Sequence, residues 1–216
     1  MTHSIRTRAI LLDMDGTLVD STAVVERLWL RWSEAHGLDP RRVLEVIHGR
    51  QGHQSMAILL PDRDHAINLA ENAEMLATET ADVEGVVEIP GAAALLVALQ
   101  GAPHAIVTSA DVALMTARMR AAGLTAPAMT VTAESVSASK PDPEGFLLGA
   151  RMLGIEPADC VVFEDSEAGV QAGLAAGMRV IGVGAHAHAH GATFVVDDLT
   201  HVQVSTDQDG IELTLS

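Results

Sequence analysis

Ala9-Ile10-Leu11-Leu12-Asp13-Met14-Asp15-Gly16-Thr17 is the stretch that decides the fold. Its apolar start reads as a short buried strand. Asp13 and Asp15, two residues apart at the strand end, point the same way because side chains alternate along a strand. Gly16 then lets the backbone turn sharply and leave the sheet. Two acids side by side in a partly buried site resist joint ionisation. A chain accommodates them when a cation lies between them or when one of them works as a protonated acid. On either reading, Asp13 and Asp15 mark the place where chemistry is expected.

Further strand-like runs follow at Ala9–Asp13, His104–Thr108, Ala128–Thr132, Cys160–Glu164, Arg179–Gly184 and Thr193–Asp197. Helix-like runs lie between them at Gly91–Gln100, Asp111–Ala122, Pro143–Leu153 and Ser166–Ala176. Gly123, Gly154 and Gly177 stand where these helices would stop, Asp142 and Ser166 where two would be capped. The alternation predicts an α/β fold, a Rossmann-like parallel sheet with crossover helices. Residues 20–87 break the rhythm. Val25, Leu28, Trp32 and Ala35 have helical spacing, Asp39-Pro40 starts a helix running through Val43, Leu44 and Ile47, and Asp64–Thr80 reads as another. No strand signal lies among them. The expected organisation is a core of residues 1–19 and 88–216 with an α-helical cap, residues 20–87, inserted after the first strand. Ile211–Leu215 alternates and predicts an edge strand.

The 216 residues suffice for one large domain, or a core with a smaller insertion, and 48% hydrophobic content supports a buried core. No apolar run reaches the roughly 18–20 residues that cross a bilayer. Only four apolar residues follow the basic Arg6 and Arg8, too few for a signal peptide, so a cytoplasmic location without a membrane partner is expected. The single cysteine, Cys160, opens an apolar run and reads as a core thiol. A net charge of −16 and 2% aromatic content, with no tyrosine, argue against nucleic acid as a partner. The same charge repels an anionic substrate unless a metal or a few placed cations make a local positive site.

Ligands of open α/β sheets bind at the carboxyl ends of the strands. The first strand ends in Asp13, with Asp15 beyond it; the second in Thr108-Ser109; the fourth in Glu164-Asp165; and Lys140-Pro141 precedes the helix leading to the fourth. Four carboxylates, two hydroxyls and one lysine would therefore converge on one face. His186, His188 and His190 alternate with alanines; extended, they would share a face able to bind a transition metal, and otherwise they belong to a solvated loop.

This order resembles the haloacid dehalogenase superfamily over nearly the whole chain. The family's Asp-x-Asp-Gly-Thr motif is matched by Asp13–Thr17, its Thr or Ser after an apolar strand by Thr108-Ser109, its Lys-Pro pair by Lys140-Pro141, and its acidic pair by Glu164-Asp165. Ser139 stands where the family often has glycine. The resemblance implies that Asp13 is the nucleophile toward phosphorus and Asp15 the general acid and base. Thr108, Ser109 and Lys140 would bind the phosphoryl group. Mg²⁺ would sit on Asp13, the Asp15 carbonyl, Asp165 and, as a further ligand, Glu164. Dehalogenases that attack carbon lack the second aspartate.

The insertion looks like the small cap of one subgroup. In it His48-Gly49-Arg50-Gln51-Gly52-His53 reads either as a loop reaching into the cleft, with Arg50 and His48 or Gln51 as donors to substrate, or as a plain connection between helices. Stretches such as Ile47-His48-Gly49-Arg50-Gln51 and Ala77-Thr78-Glu79-Thr80 are similar to those of bacterial sugar and hexitol phosphatases and of the deoxyglucose-phosphate and glycerol-phosphate phosphatases. That similarity implies a Mg²⁺-dependent hydrolase of small phosphorylated sugars or polyols, acting as a monomer or weak homo-oligomer. Two alternatives are a mutase of the β-phosphoglucomutase type and a non-catalytic sugar-phosphate binding protein. The mutase group carries a histidine where this chain has Val25, and binding alone has no use for the Asp13/Asp15 pair.

Overall fold

The structure is a computed structural model describing residues 2–216, apart from the side chains of residues 185, 186 and 188. In chain order its elements are β1 (His3–Thr7), β2 (Ala9–Leu12), β3 (Val19–Asp20), α1 (Thr22–Ala35), α2 (Pro40–Val46), α3 (Gly52–Leu59), α4 (His65–Ala81) and β4 (Val87–Glu88). There follow α5 (Ala92–Ala98), β5 (His104–Val107), α6 (Val112–Ala121), β6 (Thr130–Val131), α7 (Glu144–Leu153), β7 (Cys160–Glu164), α8 (Glu167–Ala175), β8 (Arg179–Val183), β9 (Phe194–Val196), β10 (Val202–Asp207) and β11 (Gly210–Leu215).

The main sheet has six parallel strands in the order β6-β5-β2-β7-β8-β9. The chain leaves β2 in one direction through β5 and β6, then returns to β2's other side at β7. A crevice opens at such a reversal, beyond the strands' carboxyl ends. Both faces of the sheet are covered, as parallel sheets require. Ile10, Leu12, Ile106 and Phe163 pack on one side with Leu95 of α5, Leu99 just after it, and Leu114 and Met115 of α6. Ala9, Leu11, Val107 and Val162 pack on the other with Phe146 of α7 and Val170 of α8. The buried Cys160 belongs to this second face, and burial pushes its thiol up to about 11.

Helices α1–α4 have a hydrophobic cluster of their own, built on Trp29, Trp32, Val43, Ile47, Met56 and Leu59. Asp39 caps α2 by accepting the Arg41 N–H at 3.0 Å, with Pro40 at the first turn, and Asp64 caps α4 through the Ala66 N–H at 2.9 Å. Strands β3 and β4 pair antiparallel at the base of these helices.

Several expectations are corrected. Ile211–Leu215 is not an edge: β11 is the centre of a three-stranded antiparallel sheet, β1-β11-β10, and Ile211, Leu213 and Leu215 alternate into the core. The partner strand β1 escaped notice because its burial alternates around polar residues, with Ile5 as its one large buried apolar side chain. The segment His48–His53 is not all loop, since α3 begins at Gly52. Asp142 accepts the Glu144 N–H at 2.9 Å, one residue outside the cap position it was expected to hold, which Pro143 occupies. The histidine-rich segment Ala185–His190 is a 3₁₀ turn rather than extended chain, so alternate residues do not share a face. The side chains of His186 and His188 lie outside the described residues. Among the described residues, no helix is long and apolar enough to cross a membrane.

Candidate active site

Strand pairing sets the site. Leu12 of β2 lies beside Phe163 of β7, and the Asp13 N–H donates to the Phe163 carbonyl at 3.0 Å. Asp13 therefore leaves the sheet next to Glu164 and Asp165. On β2's other side Thr108 follows β5, its N–H bonded to the Val131 carbonyl at 2.9 Å. Lys140, in the loop before α7 and joined to Pro141 by a cis peptide bond, reaches between them. Its ammonium donates to the Asp13 carboxylate, to Glu164 Oε1 at 2.6 Å and to the Val107 carbonyl at 3.1 Å. Three N–H donors meet three acceptors, so the buried cation is fully satisfied. Glu164 is fully buried, and its second oxygen accepts the Ser166 N–H and hydroxyl, each at 2.9 Å.

These contacts govern the charges. Burial first, and the Glu164 charge second, raise the Asp13 carboxyl to about 8 against the lowering pull of Lys140. Burial, then Glu164 and Asp13, raise Asp165 well above the usual carboxylate value. Burial alone would lower the Lys140 ammonium, but Asp13 and Glu164 outweigh it and raise it. One oxygen each of Asp13, Glu164 and Asp165 lies within 4.8 Å of the others, a grouping able to hold a metal ion. Three carboxyl groups share one ammonium, and the donors are hard oxygens, the chemistry of a divalent cation site. Gly16 makes room for this cluster: its φ is +82°, and a Cβ there would lie 2.0 Å from Asp165 Oδ2. Asp165 is thereby brought against the backbone that follows Asp15.

Asp13 and Asp15, which the sequence presents as a like-charged pair, turn to different partners. The side chain of Asp15 accepts the Ser21 hydroxyl at 2.7 Å and pairs with Arg118 Nη1 of α6 at 2.9 Å. Arg118 Nη2 binds Glu79 Oε2 of α4 at 2.6 Å, and both residues are buried. Burial raises the Glu79 carboxyl and Arg118 opposes that shift. Sequence reasoning missed both residues. A signal was present: Arg118 falls on the buried stripe of α6 with Leu114, Met115 and Met119.

Asp13, Asp15, Thr108, Ser109 and Asp165 line one cavity together with His48 and Arg50 of the α2–α3 loop. That loop rests on the sheet end. Ser109 Oγ donates to the Gly49 carbonyl at 3.1 Å, and Gly49, at φ +76°, has no room for a Cβ, which would sit 2.1 Å from Ser166 Oγ. Arg50 Nη1 donates to the Val46 carbonyl at 3.2 Å. Gln51 stands apart from His48 and Arg50: its Nε2 donates to the Ala133 carbonyl at 3.5 Å, and it lines a small adjoining hollow with Thr108, Ser109, Lys140 and Phe146.

Comparison with known proteins agrees with this arrangement. The haloacid dehalogenase-like hydrolase family matches residues 7–177. Hexitol phosphatase A of Escherichia coli (strain K12) is 43% identical over 210 residues, covering 95% of this chain and 97% of that protein. 2-Deoxyglucose-6-phosphate phosphatase 2 of Saccharomyces cerevisiae is 30% identical, covering 95% and 94%. The fold is shared with β-phosphoglucomutase of Clostridium difficile, with a TM-score of 0.75 at 20% identity over 91% of this chain and 93% of that one. The chain belongs to the haloacid dehalogenase-like hydrolase family.

Proposed function

We propose that this hydrolase is a Mg²⁺-dependent phosphatase that cleaves small sugar or sugar-alcohol phosphate monoesters through an aspartyl-phosphate on Asp13. The observation that carries the reading is the Lys140 ammonium held between Asp13 and Glu164 at the point where the sheet reverses, with Asp15 on a separate cation beside it. One carboxylate is thus fixed as an attacking group and the other is kept apart for proton transfer.

In the first half-reaction an Asp13 oxygen forms a bond to phosphorus as the bond to the sugar oxygen breaks, and Asp15 gives its proton to that departing oxygen. In the second, Asp15 takes a proton from water, the water oxygen attacks phosphorus, and Asp13 is released with inorganic phosphate. Thr108 and Ser109 hold phosphoryl oxygens, and Lys140 offsets the charge that gathers on them. Magnesium would be held by Asp13, Asp165 and the Asp15 carbonyl, with Glu164 a further oxygen, and would supply positive charge to draw an anion into a chain of net charge −16. Residues 20–87 act as the cap that excludes water, with His48 and Arg50 contacting substrate and Gln51 serving the loop's own anchorage. The 43% identity with hexitol phosphatase A over almost the full length of both chains supports the substrate class. Val25 lines the cavity where mutases of the resembling group carry a histidine, which favours hydrolysis over transfer back to a sugar.

The test is phosphate release from a panel of hexose, hexitol, pentose and nucleotide monophosphates, with Mg²⁺ and with EDTA. Turnover of hexose or hexitol esters that needs Mg²⁺ is expected, and Asp13→Asn should lower it by at least about 10⁴-fold. Uniform inactivity would sink the phosphatase reading. Interconversion of glucose phosphate isomers, primed by a bisphosphate, would replace it with the mutase.

A further inference from the structure

Arg118 and Glu79 form a second buried charge centre that the transfer chemistry leaves unused. Arg118 gives one terminal nitrogen to Asp15 and the other to Glu79, while its buried Nε has no hydrogen-bond partner among the described residues. Glu79 spends one oxygen on Arg118, and no hydrogen bond joins the other to a described residue. Along α4, Asn68, Asn72, Met75, Leu76 and Glu79 fall at i, i+4, i+7, i+8 and i+11, one face of a helix. All of these but Asn68 line the active-site cavity, as does Arg118.

This wall stands on the Asp15 side, where the leaving group departs. Arg50 belongs elsewhere: its neighbour Gly49 is bonded to Ser109, among the residues that would hold the phosphate. The wall presents one spare acceptor, on Glu79; the unpartnered Arg118 Nε is itself buried. A hydroxyl satisfies that acceptor, because it can donate; a carboxylate can only accept. Glu79 keeps a carboxylate on this wall, paired with Arg118. A second anionic group on the substrate meets that charge where water screens it poorly.

The geometry points to Glu79, clamped by Arg118, as the residue that selects the leaving group: it takes an uncharged polyol through a hydroxyl and rejects one that carries a carboxylate. This rests on the phosphatase reading above and names the part of the substrate that the cap reads.

The experiment compares kcat/KM for a hexitol 6-phosphate and for 6-phosphogluconate, which differ in a terminal hydroxymethyl against a carboxylate. Both are measured on one preparation each of wild type, Glu79→Gln and Glu79→Asp, so that partial unfolding cancels in the ratio. Wild type should favour the hexitol ester by about tenfold or more, and Glu79→Gln should shrink that ratio by about tenfold, mainly through KM. Glu79→Asp keeps the charge but draws it back; it should hold the ratio on the hexitol side while raising the hexitol ester's KM. Equal use of both esters by wild type, a Glu79→Gln ratio equal to the wild-type one, or an unmoved KM in Glu79→Asp overturns the inference and leaves the phosphatase reading standing. A wild type inert toward both esters and toward p-nitrophenyl phosphate overturns both.

Discussion

Two buried cations organise the site, and they are held differently. Lys140 lies wholly within the sheet end: its three donors go to Asp13, Glu164 and the Val107 carbonyl, all on or beside adjacent parallel strands. Arg118 is divided between Asp15 after β2 and Glu79 on α4, and one of its three nitrogens, Nε, is left without a partner among the described residues. The first centre is complete without the helical insertion. The second exists only where that insertion meets the core. On the proposed reading the chemistry is built into the sheet, while recognition is assembled where helix α4 meets α6. Such a division lets one reaction serve different substrates, since the second centre can change without touching the first.

Removing the first cation gives the largest expected effect. Lys140→Met keeps the side chain's length and leaves Asp13 and Glu164 buried without a counter-charge. Stability should fall by about 3–5 kcal/mol, read by denaturant titration in EDTA. The rate constant kcat should fall by about 10³-fold in Mg²⁺. Arg118→Met should destabilise less, because Asp15 keeps its Ser21 bond and both carboxylates border the cavity. Equal losses of stability in the two variants would erase the distinction between the centres.

The same contrast explains what the sequence made legible. Strand ends converge in a parallel sheet whatever the loops do, so Asp13, Thr108, Lys140 and Glu164-Asp165 could be collected by reading along the chain. Their partners could not all be collected that way. Asp13 and Asp15 look like a mutually repelling pair in one dimension, yet Asp15 adds little to the rise of Asp13, and each turns to its own cation. Arg118 and Glu79 lie 39 residues apart and meet only through the docking of α4 against α6. Each carried a trace, a charged residue on an otherwise apolar helical face, but a stripe tells which way a residue points and not what it meets. The terminal sheet was half legible for a similar reason: β11 alternates clearly, whereas β1 is mostly polar and is fixed by pairing along all five of its residues. Gln51 adjoins Arg50 in the sequence, yet the two line different hollows.

An intermediate effect is expected at the contact itself. Gly49→Ala forces a positive φ on a side chain and drives its Cβ against Ser166 Oγ. The loop must lift from the sheet end, carrying Arg50 with it and losing the Ser109 bond. We expect kcat/KM to fall about tenfold, in line with strain of about 1–3 kcal/mol. The midpoint of unfolding of the core, read by denaturant titration, should scarcely move. A large fall in that midpoint with kcat/KM intact would mean that the loop supports the fold rather than the site.

The smallest effect contrasts one carboxyl in each region by the sign of its pH dependence. In the insertion, Glu71 of α4 receives the Arg63 guanidinium through both of its terminal nitrogens and the Trp32 Nε1–H at 2.7 Å, with His36 Nε2 at 3.4 Å. Arg63 first and Trp32 next among the stabilising contacts hold its carboxyl at about 2, below the ordinary 4.5. The unfolded chain therefore binds this proton more readily, and stability is lost as pH falls from about 4.5 to about 2. Asp13 does the opposite. Its folded value of about 8 exceeds the ordinary 3.8, so the native state holds a proton that the unfolded chain has released, and stability is lost as pH rises between those values. Thermal melts in EDTA should slope downward toward both ends. Glu71→Gln should flatten the acid limb alone, and Asp13→Asn or added Mg²⁺ the other alone. A change in both limbs from either substitution would show that helices and sheet melt as one charge-coupled unit. Independent limbs would fit an insertion that keeps its own electrostatic ties while the sheet end keeps those of the reaction.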